Sequence, residues 1–167
     1  MGQSRRISSL ETCAFHEAGH AVVAWHERIA VRWIAIGSFG GVCRTADPIA
    51  GLTIKAGQVD HAWGRGAASI RVDLAGMIAQ RRYRRSSFRR RQVGTDIERA
   101  STLAFLMMGS DAAAIALLEL LYSESQTAVH SHWHRVDAVA CALLKREASL
   151  GIGALQGEEA LRLIRAA

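Results

Sequence analysis

The sequence predicts an α+β fold that is predominantly α-helical: a first helix with a candidate metal site, a small two- or three-stranded sheet, and then a helical bundle. Residues 16–20 lie in an apolar stretch without helix breakers, and β-branched and aromatic residues cluster at 31–36. From residue 60 onward, apolar side chains recur at helical spacing. Half of the 167 residues are hydrophobic, which is enough for one core. We therefore expect a single domain over residues 1–167.

The first helix contains His16-Glu17-Ala18-Gly19-His20. Two histidines four residues apart project from the same face of a helix, about 6 Å apart along its axis, so both can reach one metal ion. Zn²⁺ accepts imidazole nitrogen, and catalytic zinc sites keep one position open for water. Glu17 is placed to accept a proton from that water, as in the H-E-x-x-H pattern of metal-dependent peptidases. The alternative is a buried helix whose histidines are merely hydrogen-bonded.

The start of this helix is predicted from local capping chemistry. Ser8 and Glu11 have the spacing of a capping box, so we expect the helix to begin near Ser9. Residues 21–25 contain no breaker, which favours continuation past the second histidine.

Strands are expected directly after the first helix. Residues 31–36 have a strand composition and end at Gly37. Two weaker candidates, 42–45 and 52–55, flank Pro48, the only proline in the chain.

The second half of the chain is expected to be helical. Thr95 is a candidate N-cap for one helix and Ser110 for the next. Beyond the helix that starts near residue 60, the expected helices cover residues 96–108, 110–124, 126–147 and 157–165.

A basic cluster interrupts this helical region. Its members are Arg81, Arg82, Arg84, Arg85, Arg89, Arg90 and Arg91. The net charge is +6, and most of the excess lies here. A solvated connector at about 81–92 is the favoured interpretation because no aromatic platform or known nucleic-acid module accompanies the cluster. Docking of an acidic partner, anionic lipid or RNA is the alternative.

Cysteine usage and hydropathy predict a cytoplasmic protein without a transmembrane segment. Cys13, Cys43 and Cys141 are odd in number and form no C-x-x-C pair, which argues against disulfides and a thiolate zinc site. No signal peptide is evident. The longest apolar stretch, 103–121, is interrupted by Gly and Asp and is too polar in its middle to span a membrane.

A zinc site with two histidines needs a third protein ligand. His26 occupies the place of the third histidine of the metzincin pattern, but Val23 replaces the glycine that would turn the chain back. On a continuous helix His26 faces about 240° away from His20, so we do not expect it to be a ligand.

Two other segments offer candidates. His130 and His134 share one helical face but lack a neighbouring glutamate, so adventitious metal binding or solvation is the better interpretation. Asp96 is the stronger candidate because it is expected in a rigid first helical turn, where a carboxylate is stabilised. Glu98 would point about 200° away from Asp96.

Several ordered segments resemble the peptidase domain of the FtsH-type ATP-dependent zinc proteases, which are membrane-anchored AAA enzymes. The matching segments are Phe15-His16-Glu17-Ala18-Gly19-His20-Ala21-Val22, the strand at 31–36, Leu74-Ala75-Gly76, Thr95-Asp96-Ile97-Glu98-Arg99-Ala100, and 136–144 with 157–159. The resemblance implies that His16, His20 and Asp96 bind Zn²⁺ and that Glu17 is the general base.

The chain departs from the family pattern in three respects. It carries no Walker A sequence, AAA module or membrane anchor, so we expect ATP-independent action. Ala79-Gln80 replaces an acidic pair, and the arginine cluster follows.

The resulting expectation is a zinc-dependent endopeptidase that hydrolyses unfolded or flexible peptide substrates. The strand around Trp33 is expected to align the substrate as an added strand. The alternative is a non-catalytic or latent module that docks an acidic partner or nucleic acid through the arginine cluster. A homo-oligomer is compatible with either.

Overall fold

The computed structural model describes the backbone of residues 2–52, 62–84 and 90–167, and the side chains of residues 9–52, 62–84 and 94–167. In chain order its elements are α1 (Gly2–His26), β1 (Val31–Gly37), β2 (Gly40–Thr45), α2 (Trp63–Tyr83), α3 (Arg90–Met108), α4 (Asp111–Ser131), α5 (Trp133–Leu150), β3 (Gly153–Gln156) and α6 (Gly157–Ala166). The predicted fold class, α+β and mostly helical with a small sheet after the first helix, is confirmed.

The sheet is antiparallel with the order β2-β1-β3. Ile34 in the central strand pairs with Cys43 on one side and with Leu155 on the other. The strands predicted at 31–36 and 42–45 are confirmed. The third strand is β3, which the sequence did not predict, and the candidate at 52–55 lies outside the described residues except for Leu52, which is not in a strand.

The central position of β1 corrects the expectation about substrate alignment. Both edges of β1 are hydrogen-bonded, to β2 and to β3, so a peptide cannot be added to the strand around Trp33. Within the described residues, the open edges of the sheet belong to β2 and β3.

Helix α1 packs closely against α2 through small residues. A Cβ on Gly19 would lie 2.6 Å from the Cβ of Ala79 and 2.8 Å from the carbonyl oxygen of Ala75, so only glycine permits this approach. The helix begins at Gly2 and not near Ser9, because residues 3–7 contain nothing that ends a helix and Ser8 therefore lies inside it.

Three further helix boundaries differ from the predictions. Helix α3 begins at Arg90, so Thr95 is not an N-cap and Asp96 lies inside the helix. Helix α4 extends to Ser131, beyond the expected 124. The helix expected at 126–147 is divided at His132, whose ψ of 23° departs from helical geometry, and α5 starts at Trp133.

The capping prediction at Ser110 is confirmed: its side chain accepts a hydrogen bond from the backbone N–H of Ala113 at 3.4 Å. The last helix, α6, matches the expected 157–165 to within one residue. The arginine cluster begins on α2, where Arg82 lies 4.5 Å from the ring centre of Trp133. Residues 85–89 of the cluster lie outside the described part of the chain.

The core is one continuous hydrophobic cluster to which helices and strands both contribute. Val22, Ile34, Ile70, Leu143 and Ile164 are among its fully buried members. None of the described helices combines the length and apolar character needed to cross a membrane.

Candidate metal centre

Helix α1 places two imidazole rings side by side inside the protein. His16 and His20 are both buried, and their ring centres lie 4.7 Å apart at an interplanar angle of 80°. The Nε2 atoms point toward each other and are separated by 3.0 Å. The i, i+4 spacing in the sequence thus becomes one convergent pair of nitrogen atoms.

The third member comes from α3. Asp96 Oδ2 lies 3.0 Å from His16 Nε2 and 3.3 Å from His20 Nε2. Ligand atoms of a tetrahedral zinc site with bonds of about 2.0–2.1 Å are about 3.3–3.4 Å apart, so these separations fit three ligands of one ion. In the described part of the chain, this is the one group of three or more His, Cys, Asp or Glu residues that could hold a metal ion.

The two imidazoles are oriented in different ways. His20 Nδ1 donates a hydrogen bond to the carbonyl oxygen of Val72 at 2.7 Å, so Nε2 is the nitrogen that faces the triad and could bind a metal ion. His16 Nδ1 is buried without a hydrogen-bond partner among the described residues. The ring of His16 is therefore held by packing alone on that side.

Gly76 on α2 makes room for both rings. A Cβ at this position would lie 2.7 Å from Cε1 of His20 and 2.8 Å from Cε1 of His16. Ordinary carbon–carbon contacts are about 3.5–4.0 Å, so α2 can approach the site this closely only with glycine there.

The electrostatics of the cluster favour a positive charge at its centre. Burial by itself would raise the pKa of Asp96. The hydrogen bonds from His16 and His20 and the positive charges on those rings outweigh this effect, so the pKa lies well below its usual value. Burial lowers the pKa of His20, yet the hydrogen bond and charge of Asp96, with Glu17, raise it to about 9. A proton and a metal ion are both stabilised by this arrangement.

Glu17 lies next to the triad but is not part of it. Its side chain is buried, and burial raises its pKa above the ordinary value, opposed by the neighbouring His20 and His16. The backbone N–H of Cys43 donates to its carboxylate. A Cβ on Gly41 would lie 2.9 Å from Oε1 of Glu17, so β2 passes directly over this carboxylate.

An open cleft of about 840 Å³ exposes the site to solvent. Its lining includes residues 41–45 of β2 and Thr102, Leu103 and Leu106 of α3. The triad and Glu17 belong to the same lining. A chain segment lying in the cleft would thus pass both the triad and a free carboxylate.

Two further charged residues at the site were missed by sequence reasoning. Arg99 Nη2 donates to Asp96 Oδ1 at 2.9 Å and to Asp73 Oδ1 at 2.8 Å. Burial raises the pKa of Asp73 to about 6, although the charge of Arg99 lowers it. Arg99 follows Asp96 by three residues on a helix, which could have revealed their contact. Asp73 carries no such local signal.

The structure brings together His16, His20, Asp96 and Glu17, the four predicted site residues. The rejected candidate Glu98 lines the same cleft but is not part of the triad. His26 lies at the exposed end of α1, where its Nδ1 is 3.2 Å from Nε2 of His132.

Comparison with models of known protein families gives no match for this chain, and comparison with curated proteins gives none.

Proposed function

We propose that the protein is a zinc-dependent peptidase in which His16, His20 and Asp96 hold the metal and Glu17 is the general base. The observation that carries the proposal is the convergence of two Nε2 atoms and one carboxylate oxygen within 3.3 Å of each other. A buried carboxylate outside that group completes the set needed for hydrolysis. This combination also supports the resemblance to the FtsH-type peptidase domain.

When bound, Zn²⁺ would polarise a peptide carbonyl and lower the pKa of its bound water to about 7. Glu17 then accepts the proton of the attacking water and transfers it to the leaving amine. Its raised pKa strengthens it as a base, and the hydrogen bond from the Cys43 backbone keeps the carboxylate oriented.

The substrate class follows from the shape of the cleft. Because β1 is internal to the sheet, the open edge of β2 is the strand available next to the triad. An extended peptide would add to this edge through backbone hydrogen bonds, which requires an unfolded or flexible segment.

The three cysteines are free, which supports action in a reducing compartment such as the cytoplasm.

The test uses protein purified without a histidine tag. We expect one zinc per chain by elemental analysis and cleavage of unfolded casein that stops on addition of a chelator. Glu17→Gln should keep the zinc and lose cleavage, whereas His20→Ala should lose both. Wild-type protein without zinc would contradict the proposal. Zinc without cleavage would favour the alternative of a latent module.

A further inference from the structure

We propose that Arg99 and Asp73 form a clamp that holds Asp96 as a ligand through one oxygen only. The inference rests on the proposed function and assigns positioning roles to two residues that are not metal ligands. The clamp is the chain of contacts from Asp73 Oδ1 to Arg99 Nη2 and from Arg99 Nη2 to Asp96 Oδ1.

The two oxygens of Asp96 have separate partners. Oδ2 faces His16 and His20, while Oδ1 accepts a hydrogen bond from Arg99 at 2.9 Å. A guanidinium–carboxylate hydrogen bond is charge-assisted and therefore stronger than a neutral one. The arrangement divides the carboxylate into one oxygen for a cation and one for the guanidinium.

A side-chain donor is needed here because of where Asp96 lies. Helix α3 begins at Arg90, so Asp96 is in its second turn and the free backbone N–H groups of the first turn are not beside it. Arg99, one turn further along, supplies the missing donor.

Asp73 fixes the position of Arg99. The Arg99 side chain is 57% exposed, and a long exposed side chain has many conformations unless it is held. The Asp73 side chain is only 14% exposed and accepts from the same Nη2 atom at 2.8 Å. Asp73 thus ties the guanidinium to α2, the helix that also supplies the Val72 carbonyl to His20.

The clamp has a definite consequence for a bound metal. A carboxylate with both oxygens free can occupy two coordination positions of a metal ion. A catalytic site needs one of the ion's positions for water. With Oδ1 engaged by Arg99, Asp96 offers only Oδ2, and the remaining position stays open. Mutation of a residue that hydrogen-bonds to a metal ligand typically lowers metal affinity by about 10- to 100-fold.

The experiment compares Arg99→Ala, Arg99→Lys, Asp73→Asn and the double variant Arg99→Ala/Asp73→Asn with wild type. Arg162→Ala is the matched control, and His20→Ala is the control that lacks a ligand. Arg162 is a matched control because it is an exposed helical arginine paired with Glu158, distant in sequence from every triad residue. Zinc affinity is measured by competition with a chromophoric chelator. Ligand geometry is measured from the visible spectrum of the Co²⁺ form, and circular dichroism checks folding.

We expect Arg99→Ala to weaken zinc binding by about 10- to 100-fold and to shift the Co²⁺ spectrum from the intense bands of four-coordination to the weaker bands of five-coordination. Arg99→Lys should restore part of the affinity, since an ammonium supplies charge but not the planar guanidinium geometry. Asp73→Asn should have a smaller effect that disappears in the Arg99→Ala background.

If Arg99→Ala keeps wild-type zinc affinity and an unchanged Co²⁺ spectrum, the clamp is wrong. If His20→Ala loses the metal in the same experiment, the proposed function still stands. Equal effects of Arg99→Ala and Arg162→Ala would also overturn the clamp. Wild-type protein that binds zinc no better than His20→Ala would overturn both the clamp and the proposed function.

Discussion

Replacing Gly76 by alanine tests the idea that α2 sets the geometry of the two histidines. The added methyl would lie 2.7 Å from Cε1 of His20 and 2.8 Å from Cε1 of His16. A carbon–carbon contact needs about 3.5 Å or more, and the same methyl would overlap Nε2 of His20 still more closely. The rings or α2 must therefore move by more than about 0.8 Å. Overpacking of this kind costs about 1–3 kcal/mol.

That strain falls directly on the two imidazole rings of the candidate site, so we expect it to appear in metal affinity. At about 1.4 kcal/mol per factor of ten, a strain of about 1–3 kcal/mol weakens zinc binding by about 5- to 150-fold. The assay is chelator competition, with thermal unfolding of the metal-free and zinc-loaded protein recorded in parallel.

The control is Gly64→Ala on the same helix, where an added Cβ meets nothing within 4 Å. This substitution should leave zinc affinity unchanged and stabilise the protein slightly, because alanine is the better helix former. Zinc affinity within twofold of wild type in Gly76→Ala would refute the claim that glycine is required for the approach of α2.

Two further predictions concern protonation and the strand over Glu17. Because the pKa of His20 is raised to about 9, a proton on this ring competes with the metal ion at any pH below that value. Zinc affinity should therefore fall about tenfold per pH unit between pH 8 and pH 7, as measured by titration in matched buffers. A zinc affinity that does not change with pH would contradict this prediction. Gly41→Ala should reduce peptide cleavage more than zinc content, because the new Cβ would lie 2.6 Å from Cγ and 2.9 Å from Oε1 of Glu17 and would displace the proposed general base. Equal losses of cleavage and zinc would argue against this prediction.

Local sequence patterns were sufficient to predict the elements that are stabilised mainly by residues close to them in the sequence. The β-branched residues of β1 and the capping serine at 110 are examples, and both predictions are confirmed. Strand β3 was missed because Gly153-Ala154-Leu155-Gln156 has little intrinsic strand preference and becomes a strand by pairing with the far edge of β1. Its existence depends on a partner more than 100 residues away in the sequence.

In the candidate site, too, the contacts within one helix could be predicted from the sequence, whereas the contacts between helices required the structure. The spacing of His16 and His20 is contained within one helical turn, and it was read correctly as a convergent pair. Asp96 reached the list of candidates through an incorrect helix boundary, although the resemblance to a known family implied the same residue. The structure places it beside the histidines from inside α3, with its second oxygen held by Arg99.

Helix α2 explains why residue types alone could not reveal the whole site. Val72 orients His20 through a backbone carbonyl, which any residue could supply, and Gly76 acts through the absence of a side chain. Asp73 acts through Arg99 on a ligand that belongs to another helix. None of the three supplies an atom to the triad, yet together they constrain the ring of His20, the approach of the helix and the second oxygen of Asp96. The geometry of the candidate metal site therefore depends on a helix that carries none of the three candidate ligands, and substitutions on α2 should alter metal affinity while those ligands remain in place.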